Sequence, residues 1–476
     1  HATVLTTSTM PRFRRLAMVL CALALIGAAC SESESESDTA TAPTEGEAEA
    51  TSPDDAATPE AEANDGTDTT AEEEQEEAAP SGNSIVERHA GKEWFLGTVP
   101  SAPVPADGGL APIRIGMINQ EDTPLGSFPE MRFAADAAIN WINAELGGVD
   151  GRPIELVWCI SPFSAEQSQA CAQELVGEDV VGLVGGINVM SESALPVLAQ
   201  NGLSIIGGIP AGLAEQRSEL VFSFSGGSVG GMAAMLKHAA DNGAEKAVLA
   251  YGDFDAFEVS ADYARQVGEY LGLEVKLVKF PVIATDFLPV LTQAADFGAD
   301  AVIAAVADAS CVPVMQTFRD LEIAGQLYLV GACATEPIIN AADGAHIGVV
   351  FSGEGPPSTD DVEGTIFDEV TDEYNAGPAK AAGTVGFRGM MNLYALLLDL
   401  GADGITSESL VELIRQADDR ESFWGHDYTC DGQQVPGLPA LCAPQQALFT
   451  IAGGADDVEF ITDWIDTAEL FAAAIN

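Results

Sequence analysis

Between residues 113 and 353 short apolar runs alternate with stretches of helical apolar spacing, and the alternation happens twice. The first series reads "IRIGMIN" (113–119), then strands at 154–160, 180–186, 203–208 and 220–225, with helices at 128–146, 164–176 and 191–200 between them. The second follows a helix at 229–242. Its strands are "AVLAYG" (247–252), "EVKLVKF" (274–280), "DAVIAAV" (300–306), "LYLVGA" (327–332) and "GVVFSG" (348–353). Helices at 256–271, 287–297, 311–322 and 335–342 separate them. Strands this short and this apolar are buried on both faces, so each series predicts a parallel sheet wrapped by helices. Two series predict two lobes. From about 360 three more helices (361–375, 385–400, 407–417) and a strand pair near 446–463 complete the pattern.

In an open parallel sheet, binding loops leave the carboxyl ends of the strands. Here those loops read "NQEDTPLGSF", "ISPFS", "GGINVMSES" and "GGIPAG" in the first series, and "YGDFDAF", "VADASC", "GACATE" and "SGEGPP" in the second. Glycine, hydroxyl, amide and carboxylate groups predominate. They suit a small polar or amphipathic ligand, although the same residue types also cap helices.

The front of the chain has another character. Arg12, Arg14 and Arg15 precede an uncharged apolar stretch, Leu16 to Ala29, too short for the roughly 20 residues of a spanning helix. That is the layout of a secretory signal. "LIGAAC" (25–30) resembles a bacterial lipobox, which would make Cys30 an acylated first residue after cleavage. His1 is not an initiator, so residues 1–9 are expected to precede the true start at Met10. Residues 31–84 are a low-complexity acidic segment, with eighteen Asp or Glu and no Lys or Arg by residue 80. Such a segment cannot bury enough apolar surface to offset chain entropy, and is expected to act as a disordered tether reaching on the order of 40 Å.

The formal net charge is −55, and the part beyond the tether still carries 56 acids against 16 bases. A nucleic-acid backbone would be repelled, so a nucleic-acid partner is excluded. Beyond Cys21 and Cys30 six cysteines remain, and six allow fifteen pairings. The pairing that closes short loops throughout joins Cys159 with Cys171, Cys311 with Cys333 and Cys430 with Cys442. No Cys-x-x-Cys occurs and only five His exist, so no metal site is expected. One motif points toward an enzyme: Gly226-Gly227-Ser228-Val229-Gly230 matches the G-x-S-x-G of a hydrolase elbow, between a strand and a helix. A base histidine would have to be His346 or His426. A glycine-rich hinge turn explains the same letters, and no catalytic residue is assigned. No G-x-G-x-x-G follows the first strand, and no cofactor is expected.

The segment "INAELGGVDGRPIELVWCISPFSAEQSQACAQELVGEDVVGLVGG" (142–186) resembles the first lobe of extracellular solute-binding proteins of the leucine/isoleucine/valine type. "GFRGMMNLYALLLDLGADGITSESLVELIRQ" (386–416) is similar to that family's late helix pair, and "YTCDGQQVPGLPALCAPQQALFTI" to its actinobacterial branch. The resemblance implies an α/β, two-lobed type I periplasmic-binding-protein clamshell with three crossovers, near 225, near 353 and between 430 and 446. Residues 1–30 are then the signal peptide, 31–84 the tether and 85–111 a lead-in segment. Lobe 1 takes 112–225 plus 354–430, and lobe 2 takes 226–353 plus 431–476. The resemblance further implies a monomer anchored outside the cell membrane by Cys30, which captures a small solute for ABC permease subunits. A ligand-sensing receptor module of the same fold is the alternative. Carried over loop by loop, first-lobe contacts are Gln120, Glu121, Ser127, Phe128, Asn188, Val189, Ser191, Gly208 and Ile209. Second-lobe contacts are Tyr251, Asp253, Phe254, Asp308 and Ser310, with Glu354 at the second crossover. In amino-acid binders the two loops after 184 and 206 present hydroxyl donors to a carboxylate, whereas "GGIP" here lacks them.

Overall fold

A computed structural model describes residues 83–476 apart from 124–125, 283, 357–360, 376, 381, 456 and 476; the signal, Cys30 and all but the last two tether residues lie outside them. A short antiparallel ribbon, β1 (Glu93–Trp94) and β2 (Gly97–Thr98), precedes two sheets. The first contains β3 (Ile113–Asn119), β4 (Ile154–Ile160), β5 (Leu183–Val184), β6 (Ile205–Ile206) and β7 (Val221–Phe222), all parallel, in the order β4-β3-β5-β6-β7. The second contains β8 (Lys246–Gly252), β9 (Glu274–Phe280), β10 (Ala301–Ala305), β11 (Gln326–Leu329) and β12 (Val350–Gly353). β13 (Ala447–Ile451) and β14 (Val458–Phe460) extend it antiparallel, giving β14-β13-β12-β11-β10-β8-β9.

Within each lobe the first strand lies between the second and the third. The order therefore reverses between β3 and β5, and again between β8 and β10, which is where an open α/β sheet forms a crevice. Alternation was legible because both faces of each sheet are covered: every residue of β10, Ala-Val-Ile-Ala-Ala, is buried. Three expected strands shrink to two residues each, β5, β6 and β7. The helix expected at 191–200 splits into a 3-10 turn, Ser191–Ser193, and an α-helix, Leu195–Gln200, because Pro196 has no N–H for a continuing bond.

The lead-in does more than connect. Ile85, Val86, Trp94, Phe95 and Val99 are buried in the first lobe's core, where Trp94 meets Trp141 edge to face at 5.8 Å and Phe95 meets Phe423 at 5.3 Å. The Ile85 and Val86 amides donate to the Glu145 carboxylate, and Phe95 N–H donates to Glu363 Oε1 at 2.8 Å.

Three chain segments pass between the lobes. Ser223 N–H donates to Ala440 O at 2.7 Å and Cys442 N–H to Ser223 O at 2.9 Å, so the first and third crossovers run side by side. Gly353 pairs with Ala447 across β12 and β13, which joins the second to the third. Disulfides link Cys159–Cys171, Cys311–Cys333 and Cys430–Cys442. The local pairing is the one formed.

Candidate functional site

The loops leaving β3, β5 and β6 meet at the carboxyl edge of the first sheet. Glycines let two of them touch: a methyl group on Gly185 would sit 2.3 Å from Gly207 O, and one on Gly208 2.6 Å from the Gly185 carbonyl carbon. Gly208, expected at a ligand, is required by this backbone approach, and Ile209 N–H closes it by donating to Gly186 O.

The other expected first-lobe residues divide into two groups. Gln120, Glu121, Asn188 and Ser191 are buried and turned toward their own lobe. Gln120 Nε2 donates to Gly126 O, and Asn188 Nδ2 to Ser168 Oγ at 2.8 Å. Glu121 takes both ends of a bidentate pair from Arg132, at 2.8 Å each, plus Asn119 Nδ2 at 3.1 Å. Arg132 also lies over the rings of Phe133 and Trp158, at 4.4 and 4.3 Å, so the sequence reading missed a cation already neutralised and sandwiched. Ser127, Phe128 and Val189 keep exposed or half-buried surface at the loop tips.

The second-lobe residues divide in the same way. The Ser310 hydroxyl is buried and donates to Ala284 O at 2.7 Å, closing a loop within its own lobe. Tyr251 is buried among Leu249, Ala261 and Ile303 in the lobe's core. Asp253 pairs with Lys279 at 3.1 Å at the sheet edge. Glu354, on the second crossover, is held by donors from the first and the third and by Arg388, and faces the hinge. Phe254, half-buried against Phe257, and Asp308, the first residue of helix Asp308–Asp320, retain free surface.

The two loop sets face each other. Glu130, in the first turn of helix Pro129–Glu145, has its pKa raised to about 7, first by burial and then by the charges of Asp308 from the opposite lobe and of Glu121. Asp308 keeps contact with solvent yet is also raised, through partial loss of hydration. Neither carboxylate has an ion-pair partner among the described residues. Sequence reading missed Glu130, although Pro129 marks a helix start and so placed Glu130 at the cleft. A further buried carboxyl, Glu215, is raised to about 8 by burial, partly offset by the Gly212 amide. It borders a cavity of about 10 Å³ under the first-lobe loops with Asn188 and Ser191, room for about one water.

The hydrolase reading fails on placement. Ser228 lies in the first turn of helix Gly227–Asp241, and every described histidine is engaged elsewhere: His89 with Glu369, His238 with Tyr328, His346 with Gly453 O and His426 with Asp427 O. No described residues cluster as metal ligands.

Two open sheets of matching order, joined by three crossovers and facing each other across carboxyl-end loops, define a two-lobed binding module. The sequence pattern of the family described as "Periplasmic binding protein" matches residues 112–438, and the chain belongs to that family. Its members bind solutes and are not enzymes. None of the curated proteins matches this chain in sequence. Among solved structures, it is similar to a solute-binding protein of an ABC transporter from R. palustris in complex with 4-hydroxybenzoate, at 19% identity and TM-score 0.62, covering 75% of this chain and 98% of that one. A leucine-binding protein from Thermotoga maritima matches at 19% identity and TM-score 0.60, covering 74% and 98%. A fatty acid ABC transporter substrate-binding protein from Thermomonospora curvata matches at 14% and 0.63, covering 78% and 96%.

Proposed function

We propose that this protein captures a small polar or amphipathic solute between its lobes and delivers it to ABC permease subunits. The observation that supports the reading most is the matching reversal of strand order in two sheets joined by three crossovers, which sets a crevice at the carboxyl end of each, with the charge of Asp308 in one lobe felt by Glu130 in the other. Contacts at the cleft would come from Ser127, Phe128, Val189, Phe254 and Asp308, which keep free surface, with Glu130 added. Arg132 and Arg388 are both consumed by carboxylates. Two unpaired acids attract an ammonium, amidine or amide more strongly than a carboxylate. Cationic and neutral polar solutes therefore come first among the candidates, ahead of the aromatic and fatty acids named for similar structures.

A thermal-shift screen across amino acids, amides, urea, polyamines and small aromatic acids tests the reading. A solute present at 100 times its Kd adds about 2.7 kcal/mol to stability. Absence of stabilisation by every compound counts against solute capture, and preference for carboxylates alone would overturn the charge argument. We further propose that Cys30 carries an acyl anchor on the outer face of the membrane and that the acidic segment spaces the binding module from it. Among the described residues no helix is long and apolar enough to cross a membrane. Cys30→Ala should release the protein from the membrane fraction, and retention would remove the anchor reading.

A further inference from the structure

The glycine-rich run from Gly226 to Gly231 sits where the three crossovers touch. A methyl group on Gly226 would lie 2.6 Å from Pro444 O, one on Gly230 2.3 Å from the same oxygen, and one on Gly231 3.0 Å from Ser352 Oγ. The start of the second lobe is thus pressed, backbone to backbone, against the third crossover, with the end of β12 beside it. At Gly226, Gly230 and Gly231 the absence of a side chain is a packing requirement.

At the same place one carboxylate, carried by the second crossover, collects donors from the first and the third. Ser225 Oγ donates to Glu354 Oε1 at 2.6 Å, and Gly227 N–H reaches the same oxygen at 3.2 Å. Gln446 Nε2 approaches it from the third crossover at 3.2 Å. On the other side Arg388 Nη2 donates to Oε2 and Nη1 to the Glu354 carbonyl oxygen, both at 2.8 Å. Arg388 comes from helix Gly383–Leu400, the buried central helix of the first lobe, and its side chain is only 5% exposed. A carboxylate in such surroundings needs its donors, because an uncompensated buried charge is costly. No crossover can change its dihedral angles far without taking a donor away from the shared acceptor. A hinge in which three strands must turn together gains concerted motion from that arrangement.

We propose that Glu354 couples the three crossovers and sets the equilibrium between open and closed lobes, without touching the solute. The inference rests on the clamshell reading given above. Its test needs no solute. Paramagnetic labels on non-canonical residues at Glu166 and Thr292, both exposed and each on a different lobe, leave the three disulfides intact. Double electron–electron resonance then reports the distribution of interlobe distances for the full chain.

Glu354→Gln keeps the acceptor oxygen but turns a donor toward Arg388. It should change the ratio of open to closed populations by roughly ten-fold, the scale of one lost charge-assisted hydrogen bond. Ser225→Ala removes one neutral donor and should move the same ratio in the same direction by a smaller factor. Arg114→Met, at the amino-terminal end of β3 and away from the crossovers, should move nothing. Distributions for Glu354→Gln and Ser225→Ala that superimpose on the parent, in samples with parent-like circular dichroism, would overturn the proposal. So would an unfolded Glu354→Gln accompanied by an unchanged Ser225→Ala. If no solute is found yet the distances shift, the coupling role stands and the capture reading falls. If a solute is found and the distances do not shift, the reverse holds.

Discussion

The two lobes share a strand order but not a way of holding it. In the second lobe the five parallel strands run four to seven residues, and the sheet's core is built from residues between 232 and 351 plus the short tail strands, with distant segments (Val435, Leu438, Leu441 and Phe471) joining only a small cluster on the outer helices. In the first lobe three of the five strands are two residues long. Its core compensates with distant segments: the lead-in from Ile85 to Val99, helix Gly383–Leu400, and Phe423, Tyr428, Cys430 and Cys442. Short strands offer few ladder hydrogen bonds. The first lobe thus depends on contacts between residues far apart in sequence, which need the whole chain folded before they form.

The largest expected effect is in that distant packing. Phe387, fully buried, meets the Phe367 and Phe423 rings at 5.3 Å each. Phe387→Ala should cost about 3–5 kcal/mol in urea unfolding and hasten proteolysis near Arg88, since the lead-in shares its core. Phe287→Ala, in the second lobe beside Phe280, should cost a similar amount and leave cleavage near Arg88 at the parent rate. Equal cleavage in both variants would break the contrast. Next come the disulfides. Replacing both Cys311 and Cys333 by Ser should cost about 3 kcal/mol, and the Cys159 and Cys171 pair about half a kcal/mol less, because the second-lobe loop is longer. Urea midpoints of the two double variants check the order.

Acidity separates the lobes further. The carboxyls pushed up to about 7 or 8, namely Glu130, Glu215 and Glu363, all belong to the first lobe, and burial is the leading cause in each. A carboxyl whose folded pKa is raised holds its proton more tightly than in the unfolded chain. Its contribution is complete below the unfolded value of 4.5 and is lost as pH rises through the folded value. Stability should therefore decline from about pH 5 to pH 8. Glu215→Gln should flatten the upper part of that decline in thermal melts at stepped pH, and an unchanged profile would remove Glu215 as the cause. The smallest effect is local: Ser164 caps helix Ala165–Gly177 by accepting from Gln167 N–H, and Ser164→Ala should cost about 1 kcal/mol by thermal melting.

How far the letters could be trusted follows from what each residue had to satisfy. Buried strands announce themselves because both faces must be apolar, as in β8 and β10. The site was harder. Hydroxyls, amides and carboxylates at strand ends were legible as polar loops, yet the same atoms also satisfy backbone and side-chain partners in their own lobe. Ser310, Asn188 and Glu121 went that way. Arg388 left a signal that went unread: a lone cation inside the apolar run "GFRGMMNLYALLLDL" must have a buried acceptor somewhere. Glu354 was legible as a residue of the second crossover, but its donors from the other two were not.

The sequence by itself determined two sheet-and-helix series, their polar carboxyl-end loops and a set of cysteines compatible with many pairings. Those properties depend on periodicity and residue type within short windows. Only the tertiary structure decided that Glu130 faces Asp308, that Glu354 is shared by three crossovers, and that the glycines after Ser225 seat against Pro444. Those contacts join residues 34 to 129 positions apart at Glu354 and farther apart still in the other two, and no local pattern encodes which distant donor a carboxylate will meet.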